Sequence, residues 1–162
     1  MVQDVYIIDE SNKLKKTICN LFKNRKEYRF KNFTTNNVDI ALKNIPDLII
    51  INEDSIKNNI SIVYEKLKKN DDNRITPIMV VSSNTEKKHR VNILKYGVEY
   101  YIKKPIDEEY FYYTIKNILE LIHINRTVSP LTGLPRKRTN PSRNEKKTFK
   151  FRTIFYDVFG YW

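Results

Sequence analysis

The chain is organised around Pro46–Asp54, Pro-Asp-Leu-Ile-Ile-Ile-Asn-Glu-Asp, in which Leu48 to Ile51 run without a polar break. An unbroken aliphatic run of this length reads as a strand buried on both faces, as at the centre of a parallel sheet. Asp4 to Ile8, Pro77 to Val81 and Glu99 to Ile102 predict three more strands, and Tyr28 to Phe33 a weaker one. The intervening segments change period. Ser11 is placed to cap a helix carrying Leu14, Ile18, Leu21 and Phe22 at helical spacing. Thr35 to Leu42 predicts a short helix that Pro46 stops. Ile60, Val63, Tyr64 and Leu67 predict an amphipathic helix, followed by a polar loop from Lys69 to Arg74. Asn84 is placed to cap a helix with Val91 and Leu94 at helical spacing and Ile93 beside them, ended by Gly97. The last helix runs from Asp107 to about Arg126, with Tyr110, Ile115, Ile118, Leu121 and Ile122 assigned to its apolar side.

Five strands alternating with five helices predict an α/β fold, a doubly wound five-stranded parallel sheet with an extended C-terminal helix. Right-handed crossovers bring the ends of strands one, three, four and five to one edge. The polar residues there are Asp9 and Glu10, Asn52, Ser82 and Lys104. Two carboxylates facing a third oxygen-bearing side chain suit a hard cation such as Mg²⁺. A lysine and a hydroxyl at the same edge suit a phosphoryl group. Each residue also has a plainer reading. Asp9 and Glu10 suit a helix N-terminus, Ser82 and Ser83 suit a helix approach, and His89 and His123 suit the surface.

The pieces Val-Tyr-Ile-Ile-Asp-Glu, Pro-Asp-Leu-Ile-Ile-Ile-Asn, Pro-Ile-Met-Val-Val-Ser-Ser and Gly-Val-Glu-Tyr-Tyr-Ile-Lys-Lys-Pro occur in that order. Residues 4 to about 124 thereby resemble the receiver domain of response regulators, giving a receiver-like domain over 1–124. The resemblance implies a regulatory module of two-component, phosphorelay signal transduction. It assigns Asp9 and Glu10 to the metal-holding acidic pair and Ser82 to the hydroxyl that senses the phosphoryl group. Tyr101 falls on the aromatic switch position and Lys104 on the signature lysine, with the Lys104–Pro105 bond of the kind the family usually holds in cis. The departure is at Asn52, which stands where the family has its phosphoacceptor aspartate. An amide cannot form an acyl phosphate, and its substitution removes one carboxylate from the cation site and weakens Mg²⁺, the one cofactor implied. The expectation is a pseudo-receiver. Asp54 is the alternative acceptor, but a register placing it at the strand end would bury the Asn52 amide inside the strand at a cost of about 1–3 kcal/mol.

Charge adds one feature. The net charge is +11, and residues 136–162 carry eight Lys/Arg against Glu145 and Asp157. Ser-Pro-Leu-Thr-Gly-Leu-Pro at 129–135 resembles the opening of the GGDEF diguanylate cyclase domain, joined to the receiver-like part by the last helix and linker over 107–128. No Gly-Gly-(Asp/Glu)-Glu-Phe occurs in the sequence. Residues 129–162 are therefore expected to be a truncated GGDEF remnant ending in a disordered basic tail, a product of truncation or frameshift. No enzyme activity is expected from this chain, since the cyclase catalytic half is absent. The resemblance implies a module that originally controlled a cyclase, and so cyclic di-GMP signalling. A protein partner or a homodimer is expected through the last strand and helix, with Tyr101 and Tyr110 to Tyr113. Nucleic-acid binding through the basic tail is the weaker alternative, since no recognition-helix motif accompanies it. A single cysteine, Cys19, excludes a disulfide framework. No signal peptide is read at the N-terminus and no apolar run reaches a membrane span, so the expected location is cytoplasmic.

Overall fold

Five short segments supply the sheet: β1 (Gln3–Ile8), β2 (Tyr28–Phe33), β3 (Leu48–Asn52), β4 (Ile78–Ser82) and β5 (Tyr100–Lys103). They form one parallel sheet in the order β2-β1-β3-β4-β5 in the computed structural model, which describes residues 2–56, 60–69 and 75–127. Every residue of β3 and β4 is buried. That is the burial an unbroken aliphatic run demands, because helices cover both faces of the sheet. The helices are α1 (Lys13–Leu21), α2 (Val38–Ala41), α3 (Ile60–Lys69), α4 (Lys87–Lys95) and α5 (Glu108–Thr127).

The pleat sorts the strand residues into two cores. Val5, Ile7, Leu48, Ile50, Met79, Val81 and Ile102 pack against Leu14 and Ile18 of α1 and against Phe111, Ile115, Ile118 and Leu119 of α5. Tyr6, Ile8, Ile49, Ile51, Ile78 and Val80 pack against Val38 and Ala41 of α2, Val63, Tyr64 and Leu67 of α3 and Ile93 of α4. Each fully buried aliphatic side chain contributes roughly 1.5–3 kcal/mol. The predicted fold class is the observed one. The first of two compact units, Met1–Ile122, holds the sheet; of the second, His123–Trp162, only the end of α5 is described. The GGDEF-like heptapeptide and the basic tail, 129–162, lie outside the described residues.

Four local expectations are corrected. Tyr110 and Leu121 were assigned to the apolar side of α5, but they are 62% and 52% exposed. Tyr110 lies five residues from Ile115, about 140° round a helix, so the two cannot share a face. The inward stripe is Phe111, Ile115, Ile118 and Ile122, with Leu119 beside it. On α4, Ile93 is buried while Val91 and Leu94 are exposed, because Ile93 lies about 200° round the helix from Val91. Ser11 accepts the Lys13 N–H on its hydroxyl at 3.3 Å but does not directly precede α1. Asn12 does, in the left-handed region at φ 56°, which asparagine tolerates better than most residues. Asn84 turns its Oδ1 onto the Glu86 N–H at 2.9 Å, ahead of α4 rather than on its first turn. Gly97, at φ 80°, ends α4 as expected, donating its N–H to the Leu94 carbonyl at 2.8 Å.

Candidate functional site

In a parallel sheet all strands deliver their C-terminal residues to one edge. Asp9 follows β1, Asn52 closes β3, Asp54 lies on the 3-10 turn Glu53–Ser55, Ser82 closes β4, and Lys104 follows β5. Asp9 is fully buried. Its Oδ1 accepts from the Ser11 N–H at 3.0 Å, the Ser11 hydroxyl at 2.8 Å and the Asn52 amide Nδ2 at 2.9 Å. Its Oδ2 accepts from the Leu14 N–H, in the first turn of α1, at 2.9 Å. Burial alone would push this carboxyl up. The hydrogen bonds from the Ser11 hydroxyl, the Leu14 and Ser11 N–H groups and the Asn52 amide together hold it below the ordinary aspartate value. Asp9 thus shares the capping of α1 with Ser11, whose hydroxyl accepts the Lys13 N–H at 3.3 Å.

Asn52 is 6% exposed and both ends of its amide are used. Nδ2 donates to Asp9, and Oδ1 accepts from Lys104 Nζ at 2.6 Å. The neighbours fix this orientation, since an ionised aspartate only accepts and a lysine only donates. Lys104 Nζ also reaches Asp54 Oδ2 at 2.7 Å. The peptide bond between Lys104 and Pro105 is cis. Asp54 has the densest set of partners. Oδ2 also accepts from the Ser83 hydroxyl at 2.7 Å and the Ser83 N–H at 3.1 Å, and Oδ1 from the Ser83 N–H at 3.0 Å and the Ser82 hydroxyl at 3.4 Å. Burial pushes Asp54 up, but Lys104 and the Ser83 N–H and hydroxyl outweigh it and take the carboxyl down to about 2.

Glu10 turns away from this cluster. Its Oε1 accepts from the Thr35 N–H and hydroxyl, both at 2.7 Å, where the helical turn Thr35–Asn37 begins. The acidic pair of the sequence is therefore split between two tasks. Among the described residues no three His, Cys, Asp or Glu side chains form a metal-holding group. Of the two carboxylates at this edge, Asp9 has both oxygens already hydrogen-bonded and the donating end of an amide beside it, and Asp54 is paired with the Lys104 ammonium. The residues as arranged do not fit Mg²⁺. Glu10→Ala should lower stability by about 1 kcal/mol through loss of the Thr35 contacts, and chemical denaturation in Mg²⁺-free buffer measures it.

Ser82 is 1% exposed and accepts from the Asn84 N–H at 3.1 Å, while the Tyr101 hydroxyl donates to the Asn84 carbonyl at 2.7 Å. Two contacts escaped sequence reasoning. Ser83, read as part of a helix approach, supplies a backbone and a side-chain donor to Asp54. His89, read as a surface residue, is half-buried, with Nε2 2.9 Å from Glu53 Oε2. Glu53 thereby faces α4 while Asp54 faces Lys104. Ser11, Asn52, Asp54 and Lys104 all line a shallow cleft of about 310 Å³ over the edge.

The Asp54 carboxyl links stability to pH. Its folded value lies below the ordinary 3.8, so its contribution is complete above that value and is lost as the pH falls toward 2. With solvent screening of this partly exposed group, the loss is about 1–2 kcal/mol. Urea midpoints followed from pH 5 to about pH 2.5 should fall, and Asp54→Asn should flatten that dependence.

No protein-family model and no curated protein sequence matches the chain. Solved structures do match. The signal receiver domain of a two-component histidine kinase from Clostridium thermocellum aligns with TM-score 0.62 at 22% identity, covering 74% of this chain and 99% of that one. A chemotaxis response regulator of Vibrio cholerae aligns with TM-score 0.63 at 15% identity, covering 73% and 99%. The receiver domain of a sensor histidine kinase from Pseudomonas aeruginosa, whose active-site cleft coordinates a magnesium ion, aligns with TM-score 0.62 at 16% identity, covering 74% and 99%. At such identities the likeness is one of fold. This chain carries the receiver-domain fold.

Proposed function

We propose that this chain is a signalling module of the two-component type, a pseudo-receiver that acts by protein–protein interaction without taking a phosphoryl group at its central strand. The observation that carries this reading is the Asn52 amide set between Asp9 and Lys104. At the end of the central strand, where a nucleophilic carboxylate would stand, the chain has a group that cannot form an acyl phosphate. The same group gives each neighbour what it needs, a donor toward the carboxylate and an acceptor toward the ammonium. Asp54 could serve as acceptor only by committing to phosphorus one of two oxygens that are both already hydrogen-bonded. The Leu-Thr-Gly-Leu-Pro stretch supports the further reading that the module originally controlled a diguanylate cyclase through α5. The partner, or a second copy, meets β5 and α5 in this reading, and the exposure of Tyr110, Tyr113 and Leu121 on α5 supports it. Sedimentation velocity separates a second copy from a different partner.

The test of the reading is intact-protein mass after incubation with a small-molecule phosphodonor and Mg²⁺, beside an Asp54→Ala variant. No phosphoryl adduct is expected on either. An adduct on the wild type that the variant loses would overturn the reading and make the chain a phosphorylatable response regulator using Asp54.

A further inference from the structure

We propose that the outer face of α1 and the turn behind it form a docking surface for single-stranded nucleic acid, held by its phosphate backbone along a row of ammonium groups. The proposal goes beyond the signalling reading and does not depend on how Asn52 is read. Between Ser11 and Lys26 the chain carries six Lys/Arg and no Asp or Glu. Lys13, Lys16 and Asn20 recur at i, i+3 and i+7 on the outer face of α1, opposite Leu14 and Ile18, which are buried in the core. Lys23, Arg25 and Lys26, all exposed, continue the positive charge past the end of the helix. Among the described residues no carboxylate pairs with Lys13, Lys15, Lys16, Lys23 or Lys26, and Arg25 has Glu27 at 3.5 Å. The fold does not account for this placement. Lys13, Lys15 and Lys16 fall in the first turn of α1, which holds no acidic residue. Ammonium groups at the positive end of a helix dipole weaken the helix, and a bound polyanion offsets that effect. The chemistry of the surface selects among polyanions. An anionic membrane calls for a free apolar helix face, and that of α1 is buried in the core. An acidic protein calls for apolar or aromatic anchors among the charges, and lysine is depleted where such interfaces form; the outer face of α1 has no apolar side chain. A phosphate backbone calls for ammonium groups in a row, and its unpaired bases call for a ring to stack on. The ring stands where the row ends. Arg25 donates from Nε and Nη2 to the Tyr112 hydroxyl at 3.3 and 3.2 Å. Tyr113, 51% exposed, packs edge-on against Tyr112 with ring centroids 5.2 Å apart.

The test uses the full chain and a fluorescein-labelled oligothymidylate of about 20 nucleotides, followed by anisotropy across a salt series. Wild type should bind, and the logarithm of its affinity should fall against the logarithm of salt concentration with a slope of about −3 to −4, as about five neutralised phosphates on a single strand require. Lys13→Gln/Lys16→Gln/Lys23→Gln should weaken binding by about tenfold at low salt and flatten the slope by about 2. The same variant should melt no lower than wild type, because two ammonium groups have left the positive end of α1. Loss of binding is then separated from loss of fold. Tyr113→Ala should weaken binding by about tenfold without changing the slope, as loss of a stacked base requires. Arg136→Gln/Lys137→Gln/Arg138→Gln, which removes charge from the basic C-terminal segment, should keep most of the affinity. The surface is overturned by a lysine variant that binds as tightly as wild type, or by binding that the C-terminal variant abolishes. It is equally overturned by tighter binding to phosphatidylserine vesicles or to polyglutamate at matched charge, which would make the occupant a membrane or an acidic protein. None of these outcomes bears on the phosphoryl adduct sought in the mass experiment, so this inference and the pseudo-receiver reading can each fail alone.

Discussion

Asn52→Asp should cost the protein about 2–4 kcal/mol in the absence of divalent cations, and Mg²⁺ should return much of that loss to the variant while leaving the wild type unmoved. The Asn52 Nδ2 lies 2.9 Å from Asp9 Oδ1, and both residues are buried. The substitution replaces a donor with a second acceptor at that distance. Two like charges about 4 Å apart repel by about 4 kcal/mol at the effective dielectric of a protein site. The Lys104 ammonium, 2.6 Å from the other end of the side chain, offsets part of this. Protonation of one carboxyl relieves the rest at a cost that grows with pH. A dication relieves it better, since two carboxylates side by side offer the hard oxygen ligands that one amide nitrogen denies. Urea denaturation of both proteins with EDTA and with millimolar Mg²⁺ measures the effect. An Asn52→Asp midpoint equal to wild type in EDTA would mean that the amide does not face Asp9 as described.

The parallel sheet was legible because aliphatic runs, proline stops and helical spacing all pointed one way. Leu48–Ile51 could hardly be anything other than a central strand once helices were read on either side of it. The phase of α5 was harder to read, because apolar residues occupy most of its circumference and Tyr110 to Tyr113 offer four consecutive aromatic or half-polar positions. Only packing against the sheet face that carries Met79 and Val81 selects Phe111 and Ile115 as the inward pair. The site was legible in its membership and not in its wiring. Asp9, Asn52, Ser82 and Lys104 were found because parallel strands deliver their ends to one edge. Nothing local says that Glu10 will turn toward Thr35, since adjacent carboxylates at a strand end look alike until the loops around them are placed. In the sequence Asp54 and Asn52 read as competing acceptor positions, although the two side chains share one ammonium. That relation exists only in three dimensions.

Asp9→Ala should be the more damaging change, lowering stability by about 3–5 kcal/mol. The acidic pair reads as a functional feature, but the contacts of Asp9 are those of a structural keystone. Four donors converge on its two oxygens: the Ser11 N–H and hydroxyl, the Leu14 N–H and the Asn52 amide. Removing the carboxylate leaves the Leu14 N–H in the first turn of α1 and the buried Asn52 amide without acceptors, each costing about 1–3 kcal/mol. The Ser11 hydroxyl can turn to another acceptor, so the sum stays below the full total. Asp9→Asn should cost less, since one amide oxygen can still receive the Leu14 N–H, but its nitrogen would then confront that of Asn52. Pairing it with Asn52→Asp restores one donor and one acceptor in reversed order, so the double variant should be more stable than the two separate losses added together predict. Urea denaturation of the four proteins closes the cycle. Additive losses would show that Asp9 and Asn52 act on α1 and β3 independently. A coupling of the expected sign would identify their contact as the joint that ties the first helix to the central strand, with Lys104 and Asp54 continuing it along the edge.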